Sequence, residues 1–434
     1  MTARYRVTPV SQVRGRIRVP GDKSISHRTL MLGGIASGVT EVSGFLASAD
    51  CLATLEAQRR MGVRVEQLSP TQLRVHGAGK GGLAAPKGDL DMGNAGTAIR
   101  LFMGLLAGQP FESTLTGDAS LRKRPMERVA APLRLMGAQI RTQDGKPPVR
   151  ILPVPRLQAI DYVLPMASAQ VKSAVLLAAL HAEGTTRVAE PAPTRDHTER
   201  MLEGFGVSLR REAGQVWLAS GQSLTGTPID VPGDFSSAAF FIVAGAMAGA
   251  PGFTIENVGV NPTRTGLLDI LRLMGADIRV HPRASAGAEP VADIEVRASD
   301  LRGIQVPEDL VPLAIDEFPV LFVAAACASG ETVVTGAAEL RVKESDRLAV
   351  MAEGLTRLGI VNELLPDGIR IQGGGRFQGG TVDSHGDHRI AMAFAVASLR
   401  SDGPILVEDV ENVGTSFPGF VQVAQAAGLE VQGA

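Results

Sequence analysis

Apolar positions in this chain fall into two patterns that alternate along its length. The first is an unbroken apolar run behind a polar start. Gly21-Asp22-Lys23-Ser24-Ile25-Ser26-His27-Arg28 leads into Thr29-Leu30-Met31-Leu32-Gly33-Gly34-Ile35-Ala36, and a helix apolar on every side belongs in a core. The same grammar returns at Gly93-Asn94-Ala95-Gly96-Thr97-Ala98-Ile99-Arg100, at Met166-Ala167-Ser168-Ala169-Gln170-Val171-Lys172 and at Gly233-Asp234-Phe235-Ser236-Ser237. It returns twice more, at Ile315-Asp316-Glu317-Phe318-Pro319 and at Gly386-Asp387-His388-Arg389. Successive starts lie about 70 residues apart, stretching to about 80 before the fifth start, a repeat period that implies stacked copies of one supersecondary unit. The second pattern is amphipathic. Leu348, Met351, Leu355 and Leu358 recur at helical spacing, as do Met126, Val129, Leu133 and Met136. These segments end in glycine at Gly62, Gly137, Gly206, Gly275, Gly359 and Gly428, in phase with the buried runs. Alternating strand-like stretches such as Gly38-Val39-Thr40-Glu41-Val42 and Ile278-Arg279-Val280 fill the intervals. One unit therefore reads as a buried helix, a strand, an amphipathic helix and a strand pair.

Six such units predict an α/β protein of two domains with three units each. A Pro-flanked segment at Pro228–Pro232 separates units three and four. The last unit ends with one closing strand where the others have two, and residues 5–19 form a strand-rich piece without a unit. The economical arrangement joins that piece to the C-terminal domain. The expected domains are residues 21–230 and residues 1–20 with 231–434, with hinge crossings near 19–21 and 228–232.

Composition narrows the function. A net charge of −2 over 434 residues gives no global attraction to nucleic acid or to a membrane surface, and no uncharged apolar run reaches membrane length. The two cysteines, Cys51 and Cys327, lack metal-ligand spacing and suggest a reducing compartment. The opening Met1–Val7 has no signal-peptide apolar region. The expectation is a cytoplasmic enzyme or binding protein, monomeric, with small-molecule substrates.

Candidate chemistry sits at the helix starts: Lys23, Arg28, Arg100, Lys172, Asp316, Glu317, His388 and Arg389. Further cations cluster in Arg122-Lys123-Arg124, Arg195-Asp196-His197 and Arg341-Val342-Lys343-Glu344-Ser345-Asp346-Arg347. Each has a plain structural alternative. Asp316, Glu317 and Glu344 suit helix caps, and Arg122–Arg124 suits a solvated loop. Cations at the positive end of a helix dipole are unfavourable unless an anion is held there, so the repeated placement predicts anion binding. Arg forks read phosphate and carboxylate bidentately.

The motifs Gly-Asp-Lys-Ser-Ile-Ser-His-Arg at 21–28, Gly-Asn-Ala-Gly-Thr-Ala at 93–98, Leu-Thr-Gly-Asp with Arg-Pro-Met between 115 and 126, and Pro-Met-Ala-Ser-Ala-Gln-Val-Lys-Ser at 165–173 resemble the 5-enolpyruvylshikimate-3-phosphate synthase family of enolpyruvyl transferases. So do Arg-Val-Lys-Glu-Ser-Asp-Arg-Leu at 341–348 and Gly-Asp-His-Arg-Ile-Ala-Met at 386–392, and the resemblance spans essentially the whole chain. It implies an inside-out α/β barrel fold of two domains, each with three βαβαββ repeats. It implies transfer of the enolpyruvyl group of phosphoenolpyruvate to the 5-hydroxyl of shikimate 3-phosphate, without metal or cofactor, in aromatic amino-acid biosynthesis. The family is a glyphosate target. By position, Lys23, Ser24, Arg28, Ser168, Ala169, Gln170, Arg195, Asp316 and Lys343 would bind shikimate 3-phosphate. Lys23, Asn94, Gly96, Arg124, Gln170, Arg347 and Arg389 would bind phosphoenolpyruvate. Lys23, Asp316 and Glu344 would be catalytic, Asp316 toward the hydroxyl and Glu344 toward the methylene.

Two positions depart from the family pattern: Thr415-Ser416-Phe417-Pro418 lacks a preceding lysine, and Glu339 stands where an asparagine is usual. The sister UDP-N-acetylglucosamine enolpyruvyl transferases carry an asparagine after the equivalent of Lys23 and a cysteine in the first-domain loop. Here Ser24 follows, and residues 112–128 contain no cysteine. A non-catalytic repeat clamp is the remaining alternative, and it leaves Asp316 and Glu344 without a purpose.

Overall fold

The computed structural model describes residues 3–284 and 287–433. Both ends of the expected C-terminal domain (1–2 and 434) and residues 285–286 lie outside them. The chain divides into two compact units. The N-terminal unit is Gly21–Val231, and residues 287–289 group with it. The C-terminal unit comprises residues 3–20, 232–284 and 290–433 of the described chain.

Twelve helices alternate in kind along the described chain, as the two apolar patterns require. The odd-numbered ones are α1 (Lys23–Ile35), α3 (Gly96–Leu106), α5 (Ala169–Ala179), α7 (Phe235–Ala248), α9 (Phe318–Cys327) and α11 (His388–Ala397). The even-numbered ones are α2 (Ala49–Arg60), α4 (Glu127–Leu135), α6 (His197–Gly204), α8 (Gly266–Leu273), α10 (Arg347–Arg357) and α12 (Phe420–Ala426). All of α7 is buried, and in α9 only Cys327 is partly exposed. The amphipathic helices bury one stripe: Leu348, Met351, Leu355 and Leu358 are all fully enclosed. Their six terminal glycines have φ between 83° and 98°. That left-handed conformation lets the next amide turn back onto the helix; at Gly62, Val63 N donates to Gln58 O at 3.0 Å.

The sheets lie outside the helices and repeat one strand order. In the N-terminal unit, Ala-free edge strand Ile229–Asp230 runs parallel to Ser37–Ser43, which pairs antiparallel with Gln72–Ala78, and that with Arg64–Ser69. Leu90–Asp91 and Asp161–Val163 open two further sheets of the same order. In the C-terminal unit, Arg16–Arg18 opens the sheet of Thr254–Gly259, Val291–Arg297 and Asp277–Arg283. A single bridge from Gln305 to Val333 replaces the opening strand of the sheet built on Glu331–Val334. The unassigned N-terminal piece thus has two uses. Arg4–Thr8 inserts between Ile405–Glu408 and Glu430–Gly433 and supplies the strand missing from the last repeat, while Arg16–Arg18 starts the fourth.

Inside each unit three buried helices pack side by side in one direction. Gln170 at the start of α5 reaches Thr97 at the start of α3, and further along Gly104 of α3 backs directly onto Ala174 of α5. A Cβ at Gly104 would stand 2.0 Å from the Ala174 carbonyl oxygen. In an open helix, alanine would improve on glycine by about 1 kcal/mol. Here overpacking, typically about 1–3 kcal/mol, outweighs it. Gly104→Ala should therefore lower the denaturant midpoint of the protein, and a raised midpoint would show that α3 and α5 are not in backbone contact.

Candidate active site

The starts of the buried helices meet in each unit, and the candidate residues are grouped there. In the N-terminal unit, α1 begins behind Asp22, whose carboxylate accepts from Ile25 N at 2.8 Å. Lys23, the first helical residue, forms an ion pair with Asp50 of α2. The Arg28 side chain is buried between helices. Its Nε donates to Thr198 Oγ1 at 2.7 Å, one Nη to Ser173 Oγ at 3.0 Å and the other to the Ser24 carbonyl at 3.0 Å. Burial, reinforced by Arg195, pulls the Arg28 guanidinium down to about 10 against the opposing pull of nearby carboxylates, which leaves it charged at neutral pH. His27, fully enclosed and hydrogen-bonded to Thr54 at 2.8 Å, is held well below its usual value by burial and then by Lys23 and Arg28. It is a neutral packing group.

At α3 the chain turns so tightly that Gly96 is the first helical residue. Arg124 arches over it: a Cβ on Gly96 would lie 2.8 Å from the guanidinium. The Asn94 side-chain oxygen Oδ1 accepts from Arg124 at 2.6 Å, and its side-chain Nδ2 donates to Asp118 at 2.8 Å. Arg100, one turn into α3, holds the Gln170 amide oxygen at 2.5 Å, while the Gln170 nitrogen donates to Thr97 at 3.1 Å. Ser168 caps α5 by accepting from Val171 N at 3.4 Å, and Ala169 is the first residue of that helix.

In the C-terminal unit one guanidinium organises the site. Arg347, the first residue of α10, has a side chain 1% exposed. Its Nε donates to Asp387 at 2.8 Å, and its two Nη groups reach Asp316 at 3.1 Å and Glu344 at 2.5 Å. Burial opposes its charge, but the carboxylates of Asp387, Glu344 and Asp316 outweigh burial and hold it more firmly protonated than usual. Asp316 also faces Lys343 at 3.8 Å and Arg389 at 3.8 Å, and its carbonyl accepts from Arg389 at 3.2 Å. Lys343 lies 3.9 Å from Glu339, so the acid at that unusual position supplies an ionic partner. The structural alternatives resolve differently from one another. Asp387 is a true cap of α11, accepting from Arg389 N at 3.0 Å. Glu317 occupies the cap position of α9 but makes no cap bond.

The repulsion expected between first-turn cations and helix dipoles is relieved by internal acids. Lys172 is the plainest case. It is buried between Glu199 at 2.8 Å and Glu190 at 3.0 Å; burial lowers its pKa, and the two carboxylates reverse that and raise it. Its charge is a structural one. Glu190 also accepts from Thr194 Oγ1 at 2.6 Å, so the pair fixes the turn that carries Arg195. Asp50, Asp118, Ser173, Thr198 and Asp387 hold candidate residues in place and are absent from the sequence-based set. Asp118 in Leu-Thr-Gly-Asp, Ser173 in the 165–173 motif and Asp387 in the 386–392 motif had a local signal, whereas Asp50 and Thr198 had none. Among the described residues no group of His, Cys, Asp or Glu could hold a metal ion, and no helix is long and apolar enough to cross a membrane.

Replacing Lys172 with methionine should leave two buried carboxylates without their cation and destabilise the protein by about 3–5 kcal/mol. Equilibrium unfolding in urea at neutral pH measures this; an unchanged midpoint would mean that Lys172 is not enclosed.

Comparison with known proteins accords with this geometry. Residues 7–424 match the family described as EPSP synthase (3-phosphoshikimate 1-carboxyvinyltransferase). A 3-phosphoshikimate 1-carboxyvinyltransferase of Methylococcus capsulatus is 58% identical over 425 residues, covering 98% of this chain and 97% of its own. That of Alkalilimnicola ehrlichii is 60% identical over 426 residues, covering 98% and 96%. A solved EPSP synthase from Acinetobacter baumannii superposes with a TM-score of 0.91 at 54% identity, over 100% of both chains. The chain belongs to the EPSP synthase family.

Proposed function

We propose that the protein transfers the enolpyruvyl group of phosphoenolpyruvate to the 5-hydroxyl of shikimate 3-phosphate and releases phosphate. The observation that carries this reading is the Asp316 carboxylate, set at the start of a buried helix among Arg347, Lys343 and Arg389. Cations stand on three sides of it, at 3.1 Å (Arg347) and 3.8 Å (Lys343 and Arg389). The reaction needs such a group. As the 5-hydroxyl oxygen bonds to C2 of phosphoenolpyruvate, its proton must leave, and C3 must take one up. In the second step C3 returns a proton, the C2–O bond to phosphate breaks and the double bond re-forms. Asp316 serves the hydroxyl. Glu344, joined to Asp316 through Arg347, serves C3, and Lys23 assists by neutralising substrate charge.

Both substrates are anions. Arg28, Ser24, Ser168, the Ala169 amide, Gln170, Arg195 and Lys343 are assigned to shikimate 3-phosphate. Arg124, the backbone at Asn94–Gly96, Arg347 and Arg389 are assigned to phosphoenolpyruvate. Arg347 would take on that second role by exchanging Glu344 for the ligand, since all its edges are occupied here. That exchange would release Glu344 for proton transfer.

Phosphate release from phosphoenolpyruvate should require shikimate 3-phosphate as acceptor; release with UDP-N-acetylglucosamine alone would refute the reading. Asp316→Asn should lose about 10²–10⁴-fold in turnover while calorimetry still detects shikimate 3-phosphate binding, and near-normal turnover would remove Asp316 from the mechanism. Glu344→Gln should selectively slow hydrogen exchange at the methylene. Gly96→Ala should press on the Arg124 guanidinium. Glyphosate, longer than phosphoenolpyruvate, should lose more affinity, by about 1–3 kcal/mol for overpacking a tight site. A ratio of inhibition constant to KM that does not rise in the Ala variant would displace Gly96 from the site.

A further inference from the structure

Glu317 occupies the cap position of α9 without making a cap bond. It follows Asp316 directly, and its side chain is 1% exposed. Its carboxylate accepts a hydrogen bond from the Ser236 hydroxyl, in the first turn of α7. Arg264 in turn donates to the Ser236 oxygen at 2.6 Å. The direction of this chain is forced. A guanidinium has no acceptor, so it takes a lone pair of Ser236 and leaves the single hydroxyl proton for Glu317. Arg264 itself is buried and stands 3.7 Å from Asp234, the cap of α7. Its backbone is set by Asn261, whose side chain accepts from Thr263 N at 2.9 Å and whose carbonyl accepts from Arg264 N at 2.8 Å. On the other side, Arg389 of α11 lies 3.9 Å from the Glu317 carboxylate and donates to the Asp316 carbonyl. The line Arg264–Ser236–Glu317–Arg389 therefore crosses the starts of α7, α9 and α11.

A buried ionic chain of this kind is a weak source of stability, because desolvation consumes most of the Coulomb gain. What it does supply is a fixed geometry at the Asp316–Glu317 peptide. We propose that Glu317, oriented by Ser236 and Arg264, is a positioning residue for the reaction: it sets the Arg389 guanidinium and the Asp316 carboxylate at the distances the phosphoenolpyruvate half of the site requires. This rests on the assignment of Asp316 and Arg389 made above. Most groups assigned to shikimate 3-phosphate, from Lys23 to Arg195, belong to the other unit; Asp316 and Lys343 belong to this one, and Arg389, assigned to phosphoenolpyruvate, faces Glu317 directly, so the KM for phosphoenolpyruvate should move more than that for shikimate 3-phosphate.

The experiment is a steady-state analysis of Ser236→Ala, Ser236→Thr and Glu317→Gln beside the unmodified protein and Asp316→Asn, with thermal melts of each. Losing a hydrogen bond to a charged group predicts that Ser236→Ala raises the KM for phosphoenolpyruvate about tenfold or more. The KM for shikimate 3-phosphate should move less than about twofold, and Ser236→Thr, which keeps the hydroxyl, should recover most of the loss. A fall in kcat with both KM values unchanged, not recovered by threonine, would mark Ser236 as merely structural and overturn the proposal. Unchanged kinetics in both Ser236→Ala and Glu317→Gln would overturn it as well. If Ser236→Ala gives no cooperative melt, Glu317→Gln carries the same test, with the same split expected. Absence of turnover in the unmodified protein, or full turnover in Asp316→Asn, would instead strike the underlying assignment.

Discussion

Three helices buried on all sides and packed in one direction bring three positive dipole ends to one place. Everything at the site follows from that constraint. First-turn N–H groups and like-signed helix ends are gathered among largely buried side chains. The sequence then adds Lys23, Arg28 and Arg100 in one unit and Arg347, Arg389 and Arg264 in the other. Each cation near a dipole's positive end costs about 0.3–1 kcal/mol, and burial adds several more if it is unpaired. The fold offsets this by threading acids between the helices: Asp50 against Lys23, Asp387 against Arg347, Glu190 and Glu199 against Lys172.

The two units meet this constraint with different chemistry. In the N-terminal unit Arg28 is held by hydroxyls and a carbonyl, and Arg124 by an amide. These hydrogen-bond partners are neutral, and the carboxylates of Glu199, Asp22 and Glu289 act on Arg28 only through space. In the C-terminal unit Arg347 is surrounded by three carboxylates, so the acids outnumber the cation at its own position. Proton-accepting groups are concentrated there. An anion that competes for Arg347 would free a carboxylate in the act of binding, which couples substrate capture to readiness for proton transfer.

Close backbone approach sets the tolerances. Gly96 gives Arg124 room to cross the start of α3, and Gly104 lets α3 lie against the α5 backbone. The two glycines are on the same helix, so the separation of α3 from α5 and the placement of Arg124 over α3 are mechanically linked. Arg100 and Gln170 close the same gap with a hydrogen bond. A small shift in helix packing would therefore be felt at the residues assigned to phosphoenolpyruvate.

The repeat was legible in the sequence because burial on all sides and burial on one side leave different periodicities. The helix-ending glycines were legible because a left-handed residue admits little else, as Gly62 and Gly359 show. The motifs at 21–28, 341–348 and 386–392 marked helix starts where charged side chains gather. Which strand completes which sheet was legible only in outline: the missing strand of the last repeat pointed to the N-terminus, but Arg4–Thr8 and Arg16–Arg18 serve different sheets. The pairing of charges was not legible at all. Asp50 lies 27 residues from Lys23, Ser236 lies 81 from Glu317, and Thr198 lies 170 from Arg28. Local sequence determines whether a side chain starts a helix and whether that helix is buried. Whether a buried cation there is a ligand group, as Arg28 is assigned, or a structural one, as Lys172 is, depends on what the neighbouring helices place beside it, and only the packed structure decides that.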